Sequence, residues 1–459
     1  MRQNADQADA TASVVPAMLP RHSKPLSMVA ALKAASHNSL SFCDEELFDR
    51  LIVSRRYGLQ RVVFVSDPAG VKHVLLDRFD NYPRWSSSRR LFEKELRTGT
   101  LSSEGEVWRR HRRVATPTID VRSVSGDIPK LIKIAEARAN KLHVAAREGR
   151  VVDLQGWLSR YAAMMWNHVV SSGDPDGLDV INWLARVPHR PSPIDLVPKP
   201  KWLHDMLTSA PEPESIAANA KLDRLIATRR DPAYAGPKDL IWRIIHAVDR
   251  ESNEPLPPSE ARDEAASLIN GGVATVRAMT WIWYLLALHP EVEERLHAEV
   301  DAVTGGRPIQ PDDIQKLRYG RQILDETLRL YPPIPAILRE SVADDVICGE
   351  PVKAGSFVLV MPWLIHRHRK LWSDPDLYDP ERFGPGMAAQ RQRYAYLPFA
   401  AGPRVCVASA FALTQLMITI SVLARRFRFR LAPDRPIVPA GSVSLRVDGG
   451  LHVTVERRR

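Results

Sequence analysis

The chain has 459 residues, 44% hydrophobic and 26% charged, which supports a large folded core and excludes a disordered or fibrous protein. Its net charge is +10, but the basic residues are scattered, and no nucleic-acid-binding pattern accompanies the densest run, Arg109, Arg110, His111, Arg112 and Arg113; no nucleic-acid partner is expected. The cysteines, Cys43, Cys348 and Cys406, form no C-x-x-C pair, which argues against a disulfide framework or structural zinc and for a reducing compartment.

In chain order, residues 1 to about 25 are polar, without an apolar run long enough for a signal peptide or membrane anchor. They read as a flexible arm on a single domain spanning 26–459, and the whole as a soluble, cytoplasmic monomer. From Ser27 to Leu75 helical patches alternate with strand-like runs such as Arg61 to Val65. Asp153 to Ser171 reads as a helix. The proline-rich stretch Val187 to Pro200, with Trp202 beyond it, reads as a loop or lid. Ser215 to Arg230 is helical again.

One long helix is expected from Ser259 to His289, with Ser259 as N-cap and Glu260, Asp263 and Glu264 after it. Gly271 and Gly272 lie at its middle, each costing about 1 kcal/mol relative to alanine. A helix from about Pro311 to Leu330 ends at Pro332 and Pro333. Ser356 to Val360 reads as a strand, Trp372 to Pro398 has little periodicity, and Ala408 to Arg426 is helical. A β-hairpin is expected around Asp448 and Gly449. The fold class is therefore mainly α with minor β sheets.

Four motifs carry chemistry. Phe399-Ala-Ala-Gly402-Pro-Arg404-Val-Cys406 ends a Gly-Pro loop just before a helix, where free N–H groups and the helix dipole favour a thiolate. A thiolate is what a haem iron needs for O–O cleavage. Glu326 and Arg329 sit at i and i+3 on one helix face. Arg382, in Pro380-Glu-Arg-Phe383, is placed to complete a buried network with them. Trp108 and Arg112 occupy i and i+4 of a helix start, with Arg109, Arg110 and Arg113 on a basic face. His366 and His368 have same-face strand spacing, and metal binding there carries little weight.

In this order the motifs resemble the cytochrome P450 family, from about Lys24 to the C-terminus. The resemblance implies the P450 fold, with a long central helix over haem b (heme b, iron protoporphyrin IX). It implies Cys406 as the iron's axial ligand and metal contact. Trp108, Arg112, Arg339, Phe399 and Arg404 become cofactor-binding residues, and Glu326, Arg329 and Arg382 the structural triad. The implied activity is monooxygenation: one oxygen atom from O2 enters a small or medium apolar substrate, such as a fatty acid, terpenoid or aromatic. NAD(P)H would supply electrons through a separate ferredoxin- or flavodoxin-type redox partner and its reductase.

The central helix departs from the family pattern of small-Gly-x-acid-Thr. Counted back from His289-Pro290, the acid position is Val273 and the threonine position Ala274. A bulge at Gly271-Gly272 would re-aim Thr275 or Asn270 into the proton-delivery role. Alternatively the substrate brings its own polar group, or the chain is a peroxygenase or isomerase. A non-catalytic haem-binding protein is a further alternative. Arg277, in the apolar part of this helix, reads either as a salt bridge to another helix or as an anchor for a substrate carboxylate.

Overall fold

Trp281 and Tyr331 lie ring on ring at the centre of the molecule, 3.9 Å apart and 2° from parallel, where the central helix meets the segment after the E-x-x-R helix. The computed structural model describes residues 14–186, 213–272 and 274–458. The stretch Val187 to Pro200, Trp202 and Val273 lie outside the described residues.

The site is built on six helices: α1 (Gly105–Ala115), α2 (Leu154–Ser171), α3 (Pro258–Gly271), α4 (Ala274–Leu288), α5 (Arg318–Leu330) and α6 (Ser409–Arg426). Asp153 caps α2, its carboxylate accepting from the Gly156 N–H at 2.9 Å, a device worth about 1 kcal/mol. Two expected starts shift. The N-cap of α3 is Pro257, without a side-chain cap, and Ser259 lies inside the first turn after Pro258, whose ring fixes the entry angle. Pro311–Asp313 forms a separate 3-10 turn closed by its own Asp313 carboxylate, which accepts from the Gln310 N–H at 2.9 Å. α5 starts at Arg318 instead, where Glu299 of the preceding helix accepts from the N–H groups of Tyr319 (2.7 Å) and Gly320 (2.9 Å).

The expected long helix runs from Pro258 to Leu288, described as the stretches α3 and α4 on either side of Val273. At the end of α3 the Gly272 N–H donates to the Ile269 carbonyl at 3.3 Å, a 3-10 step, and the Trp166 indole N–H donates to the same carbonyl at 3.0 Å. A Cβ on Gly272 would stand 2.5 Å from that indole nitrogen. The glycine therefore makes room for the side chain that bonds this carbonyl.

The run Pro258–Leu288 is long and apolar enough by composition to cross a membrane. Its Trp281, Leu285 and Leu286 are nevertheless fully buried, because α4 packs against α2, α5 and a strand near the C-terminus. Each such apolar side chain contributes roughly 1.5–3 kcal/mol.

Strands β1 (Ile52–Tyr57), β2 (Gln60–Val65), β3 (Ile337–Glu340) and β4 (Phe357–Val360) form one sheet in the order β1-β2-β4-β3. β2 and β4 are parallel, with Val62 opposite Phe357, and the other pairs are antiparallel. The expected hairpin around Asp448 does not form. Leu445–Val447 pairs with Pro439–Gly441, whereas β6 (His452–Arg457) pairs with β5 (Phe427–Leu431) and with Val152–Asp153. The turn reverses the chain, but each arm finds its partner elsewhere.

Within the expected arm, the described residues from 14 onward pack on the domain. Pro16 is buried, and the Ala17 backbone is clamped by two tyrosines, its N–H donating to the Tyr284 hydroxyl and its carbonyl accepting from the Tyr331 hydroxyl, both at 2.8 Å. His366 and His368 follow a short helix, Pro362–Ile365, rather than lying on a strand, and both are buried. Burial pushes His366 down to about 3; its Nδ1 bonds the Arg329 carbonyl at 3.1 Å, and its Nε2 accepts from the Leu397 N–H at 2.7 Å. Among the described residues no histidine, cysteine and carboxylate cluster suits a metal ion.

Candidate active site

The loop from Phe399 to Ala408 is shaped by its backbone. Gly402 has φ +72°, and a Cβ there would collide with the Leu75 carbonyl, so only glycine fits. Gly402–Arg404 makes a 3-10 turn, and the Cys406 N–H donates to the Phe399 carbonyl at 3.0 Å. Cys406 then faces a cavity of about 1090 Å³ with a largely apolar wall that includes Leu101, Leu268, Ala278, Phe399 and Phe411. The exposed surface of Cys406 thus opens inward.

Burial pushes the Cys406 thiol above its ordinary value, while the Ala408 N–H and the Arg112 charge pull it down. Both groups act toward the thiolate, as the sequence expects, against the desolvation of the protein alone. A metal ion held there would supply further charge, since a coordinating thiol is deprotonated outright.

Five arginines line the same cavity, Arg84, Arg89, Arg112, Arg339 and Arg404, of which Arg89 pairs with Glu93 at 3.0 Å. Burial and mutual repulsion lower Arg84 and Arg339 to about 10 and Arg404 to about 9, with Glu104 pulling the other way. Burial also lowers Arg112. The Arg404 guanidinium stacks 4.1 Å over the Trp108 ring and pairs through Nη2 with Glu104, but its buried Nη1 has no partner among the described residues. Such a cluster is costly to keep charged without an anion. An inward thiol, an apolar wall and unmatched guanidiniums fit an iron porphyrin, whose carboxylates would meet the arginines.

The triad assembles behind this cavity. Glu326 and Arg329 are fully buried and paired at 2.6 and 2.7 Å. Arg329 also donates to the carbonyls of His366 (2.8 Å), Pro375 (2.6 Å) and Leu377 (2.8 Å). Arg382 stands 3.5 Å from Glu326 and donates to the Ser373 (2.6 Å) and Asp374 (2.9 Å) carbonyls. The aperiodic segment from Trp372 is thus tied to α5.

Asn270, Ala274 and Thr275 line the cavity where α3 gives way to α4. Thr275 is buried, and its hydroxyl donates to the Gly272 carbonyl at 2.9 Å. Among the described residues no carboxylate lines the cavity. Arg277 forms no ion pair among the described residues, against one expectation, and does not line the cavity, against the other. Its Nε instead donates to the Ser444 hydroxyl at 3.4 Å, and burial with the nearby Arg446 charge lowers it to about 10. The basic face of α1 is neutralised by ion pairs: Arg109 with Asp80, Arg110 with Glu260 and Arg113 with Asp249.

Sequence reasoning missed Arg84, Trp166 and Thr100 on the cavity wall. Arg84 comes to the site through an isolated bridge to Arg339, and Trp166 through its bond to the Ile269 carbonyl; neither long-range pairing leaves a local signature.

The loop cysteine, the cationic rim and the triad behind them define a haem-thiolate oxidoreductase. The family model described as cytochrome P450 matches residues 20–446, and the chain belongs to that family. It is 30% identical to cyclooctat-9-en-7-ol 5-monooxygenase of Streptomyces melanosporofaciens, over 83% of each chain. It is 29% identical to the protein LUTEIN DEFICIENT 5, chloroplastic, of Arabidopsis thaliana, over 88% of this chain and 71% of that one. A crystal structure of a cytochrome P450 (CYP102L1) superposes with a TM-score of 0.79 at 20% identity, covering 97% of this chain and all (100%) of that one.

Proposed function

We propose that this cytochrome P450 inserts one oxygen atom from O2 into a small or medium apolar molecule. Electrons come from NAD(P)H through a separate ferredoxin- or flavodoxin-type protein and its reductase, and the enzyme works as a cytoplasmic monomer. The observation that carries the reading is the Cys406 thiol facing a large, mostly apolar cavity. The bacterial relative named for a cyclic alkenol favours a terpenoid among the apolar substrate classes.

Haem b, when bound, supplies the oxygen and redox chemistry. Cys406 would hold its iron, with Phe399 beside it. Trp108, Arg112, Arg339, Arg404 and Arg84 would hold its carboxylates. Leu101, Leu268 and Phe411 would exclude water and orient the substrate. Thr275 would hold a proton at Oγ1, the Gly272 carbonyl fixing its direction. Arg277 has no substrate role in this reading.

A peroxygenase or isomerase is the second reading, favoured by the absence of a carboxylate on the described cavity wall. Turnover separates the two. Oxidation that requires NAD(P)H and a redox partner supports the first, and equal activity with peroxide alone supports the second. Substrates can be found by screening an apolar library for a shift of the haem spin state. Cys406→Ala should lose the thiolate signature of the reduced CO complex; a variant that kept it would overturn the ligand assignment.

A further inference from the structure

Thr100 lies on the cavity wall, and it opens onto a row of buried titratable groups. Its hydroxyl donates to Glu264 Oε1 at 2.6 Å, and its N–H to Glu264 Oε2 at 2.8 Å. Glu264 and His111 are both fully buried and joined at 2.9 Å through His111 Nδ1. The other ring nitrogen, Nε2, reaches Glu260 Oε2 at 3.0 Å. Glu260 is 23% exposed and paired with the 34% exposed Arg110. The row runs unbroken from solvent to the cavity, every gap within hydrogen-bond reach.

We propose that Glu260, His111, Glu264 and Thr100 form a proton relay that supplies the cavity, in place of the acid that the central helix lacks at Val273 and Ala274. This rests on the oxygenase reading above, since oxygen reduction consumes protons. Glu264 is the acid in question, set one hydroxyl behind the wall. Asn270, Ala274 and Thr275 offer no group that releases a proton near neutral pH.

Each hop balances. Glu260 takes a proton from solvent and passes it to Nε2 of His111, which releases the Nδ1 proton to Glu264. Glu264 passes it to the Thr100 oxygen as the threonine's own hydrogen moves to water in the cavity. A ring flip or tautomer exchange resets His111, and one proton has crossed. The surroundings suit this. Burial opposes charge on His111, yet Glu264 and Glu260 carry its pKa above the ordinary value. Burial raises Glu260, but His111 and Arg110 bring it below its ordinary value.

The test needs no known substrate. The haem-loaded protein is fed electrons through a plant-type ferredoxin and its reductase, in H2O and D2O. Peroxide formation consumes protons (O2 + 2 e⁻ + 2 H⁺ → H2O2), whereas superoxide release consumes none (O2 + e⁻ → O2⁻). In Glu264→Gln and Thr100→Val the superoxide share should rise about tenfold or more and the solvent isotope effect should change. Thr100→Ser should restore both.

Infrared difference spectra of the same proteins over about pH 5–9 give a readout apart from turnover. A carboxyl band should vanish in Glu264→Gln and shift in Thr100→Val and His111→Asn. These spectra, with the Thr100 pair, keep the test decisive if Glu264→Gln folds poorly. Wild-type oxygen reduction with the same partition in Thr100→Val and no shift of the band would overturn the relay alone. A wild type that reduces no oxygen overturns the oxygenase reading and the relay with it.

Discussion

Arg404 is satisfied on one side and open on the other: Nη2 meets Glu104, and buried Nη1 meets no partner among the described residues. Charge-assisted hydrogen bonds are worth about 1.5–3 kcal/mol, so Arg404→Gln should speed haem loss about tenfold or more, measured as transfer to excess apomyoglobin. Arg404→Lys should recover only part of this, because a lysine cannot stack on Trp108 as a guanidinium does. Trp108, Arg112, Arg339 and Arg404 were readable in the sequence because each sits in or beside a short motif. Arg84 was not, since only its pairing with Arg339 brings it in.

The helices α1, α3 and α5 each carry a buried ionic joint. All five N–H donors of Arg329 are used. Arg329→Lys keeps the charge but lacks the planar fork. We expect it to lower unfolding free energy by about 3 kcal/mol or more, read by denaturant titration, and to impair haem retention. The joint between α1 and α3 depends on pH. The raised pKa of His111 means that its charged form favours the folded state. That stability is fully present below the unfolded value of about 6.5 and is lost as pH rises through the folded pKa. The melting temperature should therefore fall on the alkaline side, and His111→Asn should flatten that fall. A variant with the wild-type slope would remove His111 as the cause.

E-x-x-R spacing made the α5 joint legible in the sequence. Counting back from His289 gave the residues at the middle of the central helix but not their exposure to the cavity. Trp166, which donates to the Ile269 carbonyl there, lies more than a hundred residues away.

At the scale of the whole molecule, composition and periodicity were enough for a helix-rich fold with small sheets, and the crystal structure of similar fold agrees. The C-terminal strands were misread because a turn signal reports that the chain reverses, not which strand it joins. The net charge of +10 bears on electron supply. If an acidic ferredoxin is the donor, kcat/KM for that donor should fall as ionic strength rises from about 0.05 to 0.5 M, through screening of charges beyond the Debye length. A flat profile would indicate a neutral donor surface.

The clamp on Ala17 has a different kind of consequence. Tyr284 and Tyr331 hold its main chain, not its side chain. The path of the chain is thus held by backbone groups that nearly every residue carries, while the Ala17 side chain itself packs against the hydrophobic core. Proline is the exception, because it has no N–H to offer Tyr284. The grip resides in two phenol hydroxyls, so phenylalanine at either tyrosine would release one side of the clamp.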